Sequence, residues 1–134
     1  MGTRPTIKEV SLADLHVNVL PPETIEALRV CGTLEFLRKP WYLAGGTALA
    51  LQVGHRQSVD LDFFTEEKDF NTYDMERALT AAGDWETTHV TAGTLYGIFH
   101  GAKMSLIAYP FFKPSKEHIR FGSIRILIPS DIAA

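Results

Sequence analysis

Apolar positions in this chain recur with two different periods. After Pro21 and Pro22, the residues Ile25, Leu28, Leu34 and Leu37 predict a helix over PETIEALRVCGTLEFLRK, closed by Lys39 and Pro40. Trp41 to Ala44 is a short, uniformly apolar strand. Gly45 and Gly46 then turn the chain, and Thr47 stands where it would cap a helix, TALALQVG. From Ser58 to Phe64 the period becomes two: Val59, Leu61 and Phe63 point one way, and Asp60, Asp62 and Phe64 the other. Asn71 or Thr72 caps a third helix, YDMERALTAAG, which Gly83 stops. The segments WETTHVT, LYGIFHG, KMSLIAYPF and IRILIP read as strands, with Ala92-Gly93 and Gly101-Ala102 at tight turns. Residues 5–20 read as an extended lead-in, and residues 110–118, with Pro110, Pro114 and Ser115, as loop. Helices alternating with strands predict an α/β (α+β) fold: a mixed sheet with helices packed on it.

The chain has 134 residues, 46% of them hydrophobic, enough for the core of one domain over residues 1–134. It ends on PSDIAA, which reads as a fresh helix start with Ser130 or Asp131 as cap. The chain is therefore expected to be the N-terminal part of a longer protein, or a natural truncation. A single cysteine, Cys31, excludes an intrachain disulfide and a multi-cysteine zinc site, and suits a cytoplasmic setting. Neither a signal peptide nor an apolar run of about 20 residues is visible, so no membrane role is expected. The net charge of −3 does not advertise a nucleic-acid binder. Nine acids face two bases between Asp60 and Glu86, and five bases face two acids from Thr87 onward. Such a division suits a site holding cations beside a polyanion, and equally suits two solvated faces.

Two features carry candidate chemistry. Gly45 and Gly46 let the backbone approach a ligand, and a helix N-terminus after them offers free N–H groups to an anion; an ordinary corner capped by Thr47 has the same wording. Asp60 and Asp62 lie roughly 6.5–7 Å apart on one strand face. Two carboxylates at that spacing can converge on hard cations such as Mg²⁺, and a pair of ions clamps the attacking and leaving oxygens of a phosphoryl displacement. The competing reading is a solvated strand face, which the flanking Val59, Leu61, Phe63 and Phe64 disfavour. Arg56, beside His55 before the Asp strand, could neutralise phosphate, and Lys103 could reach the same site. Lys113, Lys116, His118 and Arg120 form a loose basic cluster. His89 and His100 read as structural strand residues; Trp41, Phe63, Phe64, Phe99 and Cys31 read as core.

The stretch LAGGTALALQVGHRQSVDLDFF resembles the AbiEii/AbiGii toxin family, within the DNA polymerase β-like nucleotidyltransferase superfamily. The likeness runs from about residue 20 to the end. It implies a nucleotidyltransferase fold and Mg²⁺-dependent transfer of a nucleoside monophosphate from an NTP to an acceptor hydroxyl, on RNA and specifically tRNA in some relatives. It also implies a toxin restrained by an antitoxin. On this resemblance Gly45, Gly46 and Thr47 hold the triphosphate, and Asp60 and Asp62 bind a two-ion Mg²⁺ site. The superfamily places a third carboxylate on a later strand. Here that strand is KMSLIAY, and Ser105 occupies the position. Asp84, Glu86 or another segment would have to substitute. Otherwise the chain is a catalytically weakened nucleotide- and metal-binding module with a regulatory or interaction role.

Overall fold

A computed structural model describes residues 7–44, 48, 51–52, 60–111 and 118–127. Eight strands form one mixed sheet: β1 (Ile7–Glu9), β2 (Trp41–Ala44), β3 (Asp60–Thr65), β4 (Trp85–Thr91), β5 (Thr94–Phe99), β6 (Ala102–Ala108), β7 (His118–Phe121) and β8 (Ile124–Leu127). Their spatial order is β1-β7-β8-β2-β3-β6-β5-β4. The pairs β1–β7, β2–β8 and β3–β6 are parallel, and the others antiparallel. Helices α1 (Pro22–Cys31) and α2 (Thr72–Ala82) complete an α+β fold, as expected.

Both helices lie on one side of the sheet. Leu61 and Phe63 of β3, Leu43 of β2, Met104 and Leu106 of β6, and Leu95 and Phe99 of β5 point toward them. They meet Ala27, Leu28 and Cys31 of α1 and Leu79 of α2 in one core. On α1 the buried set is Thr24, Ala27, Leu28 and Cys31, one stripe at helical spacing. Burying a Leu or Phe side chain contributes roughly 1.5–3 kcal/mol, so this face holds most of the fold's stabilisation. The Cys31 thiol sits 3.8 Å from the Met104 sulfur, and burial pushes its pKa up. A smaller cluster, Tyr42, Ala44 and Leu127 with Phe64 against it, covers part of the opposite face.

Local signals explain the helix ends. Asn71 caps α2, its side-chain oxygen accepting from the Asp74 N–H at 3.0 Å. The first helix is shorter than its apolar periodicity predicts. It stops at Cys31, and Glu35–Leu37 is a separate 3₁₀ turn. Gly32 N–H closes the last helical bond, to Leu28 O at 3.0 Å, while its carbonyl accepts from Ser123 N–H at 2.7 Å. Other expectations also need correction. Residues 5–20 include strand β1 and two 3₁₀ turns. His118 opens β7 and is not loop. The β5–β6 turn is His100-Gly101, with Ala102 already in β6, so His100 is a turn residue at φ 50° and not a strand residue. The Asp strand runs from Asp60 to Thr65; Ser58 and Val59 lie outside the described residues.

Two glycines at positive φ differ in their surroundings. At Gly93 (φ +72°) an added Cβ would meet nothing nearer than 3.5 Å. At Gly122 (φ +55°) it would lie 2.2 Å from the Gly32 carbonyl oxygen, where the β7–β8 turn crosses the end of α1. Gly93→Ala should therefore cost about 1–2 kcal/mol, the left-handed penalty alone. Gly122→Ala should cost more, because backbone must also shift. Urea unfolding of both variants checks the order; equal midpoints would contradict the crowding at Gly122.

Candidate functional site

Strand β3 lies inside the sheet between β2 and β6, and its two faces have opposite fates. Leu61, Phe63 and Thr65 are buried beneath the helices, whereas Asp60, Asp62 and Phe64 are half-buried on the other side. Both aspartates therefore share the face that the helices leave uncovered. Register with β6 decides their neighbours: Asp60 pairs with Lys103, and Asp62 with Ser105. The next strand sets Ile98 beside Lys103 and Tyr96 beside Ser105.

These side chains line a cleft of about 400 Å³, with walls that include Asp60, Asp62, Lys103, Ser105, Tyr96 and His89. On the other flank of β3, Ala44 is the Cα partner of Asp62, so the chain reaches the glycine pair directly from this site. Beyond that pair, Ala48 and Leu51 are helical and buried. Gln52 anchors the segment, its amide donating to Leu127 O at 2.6 Å. Gly45, Gly46 and Thr47 lie outside the described residues, as do His55 and Arg56. Lys103 lies across from Asp60 on the neighbouring strand.

The electrostatics single out Asp62. Burial raises its pKa above the usual 3.8, the Ser105 hydroxyl donating to Oδ1 at 2.8 Å lowers it, and nearby Asp60 raises it again. Burial wins. The Asp62 carboxylate is thus a poorly hydrated anion beside a like charge, an arrangement that a cation relieves. Among the described residues no three His, Cys, Asp or Glu side chains gather as a metal cluster. The pair nevertheless fits Mg²⁺, which binds one or two carboxylates and fills its remaining positions with water and phosphate oxygens. Ser105 supplies a hydroxyl already committed to Asp62, neither a base nor a strong Mg²⁺ ligand. Glu86 shares the open face but stands three strands from Asp60, about 14 Å by strand spacing. Asp84 precedes β4, its carbonyl bonded to His100 N–H at 2.8 Å.

Two cleft residues escape the sequence pattern. His89 is exposed and lines the cleft, contrary to its reading as a structural strand residue. Tyr96 joins it, and its signal was present in β5: Leu95, Gly97 and Phe99 are buried while Tyr96 is 41% exposed. Of the basic residues, Lys113 and Lys116 lie outside the described residues, and His118 and Arg120 are both on β7, three strands from β3.

A family model for the nucleotidyl transferase AbiEii toxin of type IV toxin–antitoxin systems matches residues 26–100. An uncharacterized protein, aq_aa25 of Aquifex aeolicus (strain VF5), is 33% identical over 90 residues, 66% of this chain and 40% of that protein. The crystal structure of JHP933 from Helicobacter pylori matches with a TM-score of 0.52 at 20% identity, over 84% of this chain and 55% of that one. At that identity the likeness shows the fold alone. The chain spans less than half of aq_aa25 and little more than half of JHP933. No helix among the described residues is long and apolar enough to cross a membrane.

The raised Asp62 pKa fixes the sign of a pH effect. The folded state favours the protonated acid, so stability is lost as pH rises from the unfolded value through the raised folded one. Asp62→Asn should raise the cation-free melting midpoint at pH 7 by about 2–4 °C. That gain should vanish in acid, where both side chains are neutral. Calorimetry at the two pH values checks it; a lower midpoint for the variant at pH 7 would contradict the burial penalty.

Proposed function

This chain belongs to the AbiEii nucleotidyl transferase toxin family of type IV toxin–antitoxin systems, and we propose that it transfers a nucleoside monophosphate from an NTP to an acceptor hydroxyl, on RNA such as tRNA. The observation that carries this reading is the sharing of one cleft by Asp60, Asp62 and Lys103 on the uncovered sheet face. In this proposal Asp60 and Asp62 hold Mg²⁺, either one ion or two. When bound, the metal would neutralise phosphate charge and polarise the phosphoryl group. Lys103 adds a cation from the neighbouring strand. Gly45, Gly46 and Thr47 receive the triphosphate, with Arg56 at its phosphates. Ser105 acts on Asp62: its hydroxyl fixes the orientation of the carboxylate. The acceptor oxygen forms the new bond to the α-phosphorus, pyrophosphate leaves with the electron pair of the broken bond, and the acceptor proton passes to water. Positioning and charge neutralisation carry such a step, with little covalent work asked of the protein.

Family membership implies a partner antitoxin, and the proposed setting is the cytoplasm. A second reading, a nucleotide- and metal-binding module without transfer, is favoured by one observation. Ser105 pairs with Asp62 where the superfamily resemblance places a third carboxylate.

The two readings separate in one experiment. The protein is incubated with Mg²⁺, labelled NTPs and total RNA. Transfer predicts labelled RNA, with a loss of roughly 100-fold or more on Asp60→Asn or Asp62→Asn, as for removal of a group acting on transition-state charge. NTP binding without labelled acceptor supports the module. Absence of both binding and labelling sinks the two together.

A further inference from the structure

The strand β4 changes face partway along its length. Trp85 pairs with Phe99 and Thr87 with Gly97, both partners being buried. The Trp85 indole N–H donates to Thr87 Oγ1 at 2.8 Å, and the Thr87 hydroxyl donates to Glu76 Oε2 of α2 at 2.7 Å. Strict alternation would send His89 the same way. The register instead shifts between Thr87 and His89, so two steps on β4 match one on β5 and His89 pairs with Tyr96. A bulge of this kind re-aims the side chain that follows it. His89 therefore joins Tyr96 on the open face, ring centroids 6.1 Å apart and planes 34° from parallel.

The cleft extends from the aspartates in this direction. Its walls come from β3, β6, β5 and β4. On the other side of β3, the Tyr42, Ala44, Leu127 and Phe64 cluster occupies the open face. In-line displacement places leaving group and attacking oxygen on opposite sides of the phosphorus. With the triphosphate on the β2 side, where the chain leads to the glycine pair, the acceptor must enter over β6, β5 and β4. Tyr96 lies two strands from Asp62, about 10 Å by strand spacing and comparable with the span of one nucleoside.

We propose that Tyr96 and His89 form a stacking platform for the terminal nucleobase of a single-stranded RNA acceptor whose 3′ hydroxyl lies at the Asp60–Asp62 pair. The assignment rests on the transfer reading for the direction of entry. Exposed aromatic rings on a sheet offer a π surface that any base can use. Ile98 extends its apolar area, and Lys103 supplies a cation for the adjoining phosphate. Both rings act by positioning the acceptor and take no part in bond making.

The test uses wild-type protein without NTP and short single-stranded RNAs carrying 2-aminopurine at the 3′ end or at an internal position. The expected result is quenching of the 3′-terminal probe alone. Tyr96→Ala should abolish that quenching and weaken binding roughly tenfold, the scale of one lost base stack. Tyr96→Phe and Tyr96→Trp should retain both, and His89→Ala should weaken them less than Tyr96→Ala. In transfer assays Tyr96→Ala should raise KM for RNA and leave KM for NTP unchanged. Quenching and affinity that persist in Tyr96→Ala, or equal quenching at both probe positions, would overturn the platform. So would labelling of a protein acceptor with no RNA bound. RNA stacking on Tyr96 without aspartate-dependent transfer would leave the platform standing and remove the transfer reading. Aspartate-dependent transfer to RNA with an unchanged RNA KM in Tyr96→Ala would do the reverse.

Discussion

The pairing of β3 with β2 and β6 is the constraint on which both core and cleft depend. Successive side chains on a strand go to opposite faces, so one register decides two things together. It puts Leu61 and Phe63 against α1, and it puts Asp60 and Asp62 beside Lys103 and Ser105. A slip by one residue would bury two carboxylates and expose two apolar side chains. The hydrophobic term forbids that slip strongly, since each of those apolar side chains is worth roughly 1.5–3 kcal/mol. Placement of the acids is thus a by-product of core packing. The parallel match to β6 then determines which side chains the acids meet.

The hydroxyl of Ser105 shows how this constraint limits the chemistry. Across from Asp62 the register offers one position on β6, and serine fills it. Its bond to Oδ1 offsets part of the burial cost of an anion. A carboxylate there would instead add a third negative charge to a half-buried pair, tolerable only with cations present.

Much of this arrangement was legible in the chain. The alternation in DLDFF gives β3 its two faces, and Asn71 and Gly83 mark the ends of α2. The strands Trp41–Ala44 and Trp85–Thr91 follow from composition and flanking turns. What was not legible depended on distant partners. Ile7–Glu9 is three residues long and is a strand because it lies against His118–Arg120, more than a hundred residues later. The end of α1 at Cys31 needs Gly32 to meet the β7–β8 turn, a contact that periodicity does not report. His89 was hidden by the rule that located Asp60 and Asp62. Simple alternation groups it with Trp85 and Thr87, and the register shift undoes that grouping. The glycine corner, the residues most prominent in the resemblance, lies outside the described residues, although Ala44 and Ala48 on either side are buried.

Cys31 sits on the seam between α1 and β6, fully enclosed, in a chain with no second thiol. Reagents that alkylate sulfur need the thiolate and a path to it, and the packed molecule withholds both. Modification must therefore wait for the helix to lift from the sheet. The rate of labelling would then count openings of the layer that holds β3 in register, making a single native sulfur atom a built-in clock for the loosening of the whole scaffold.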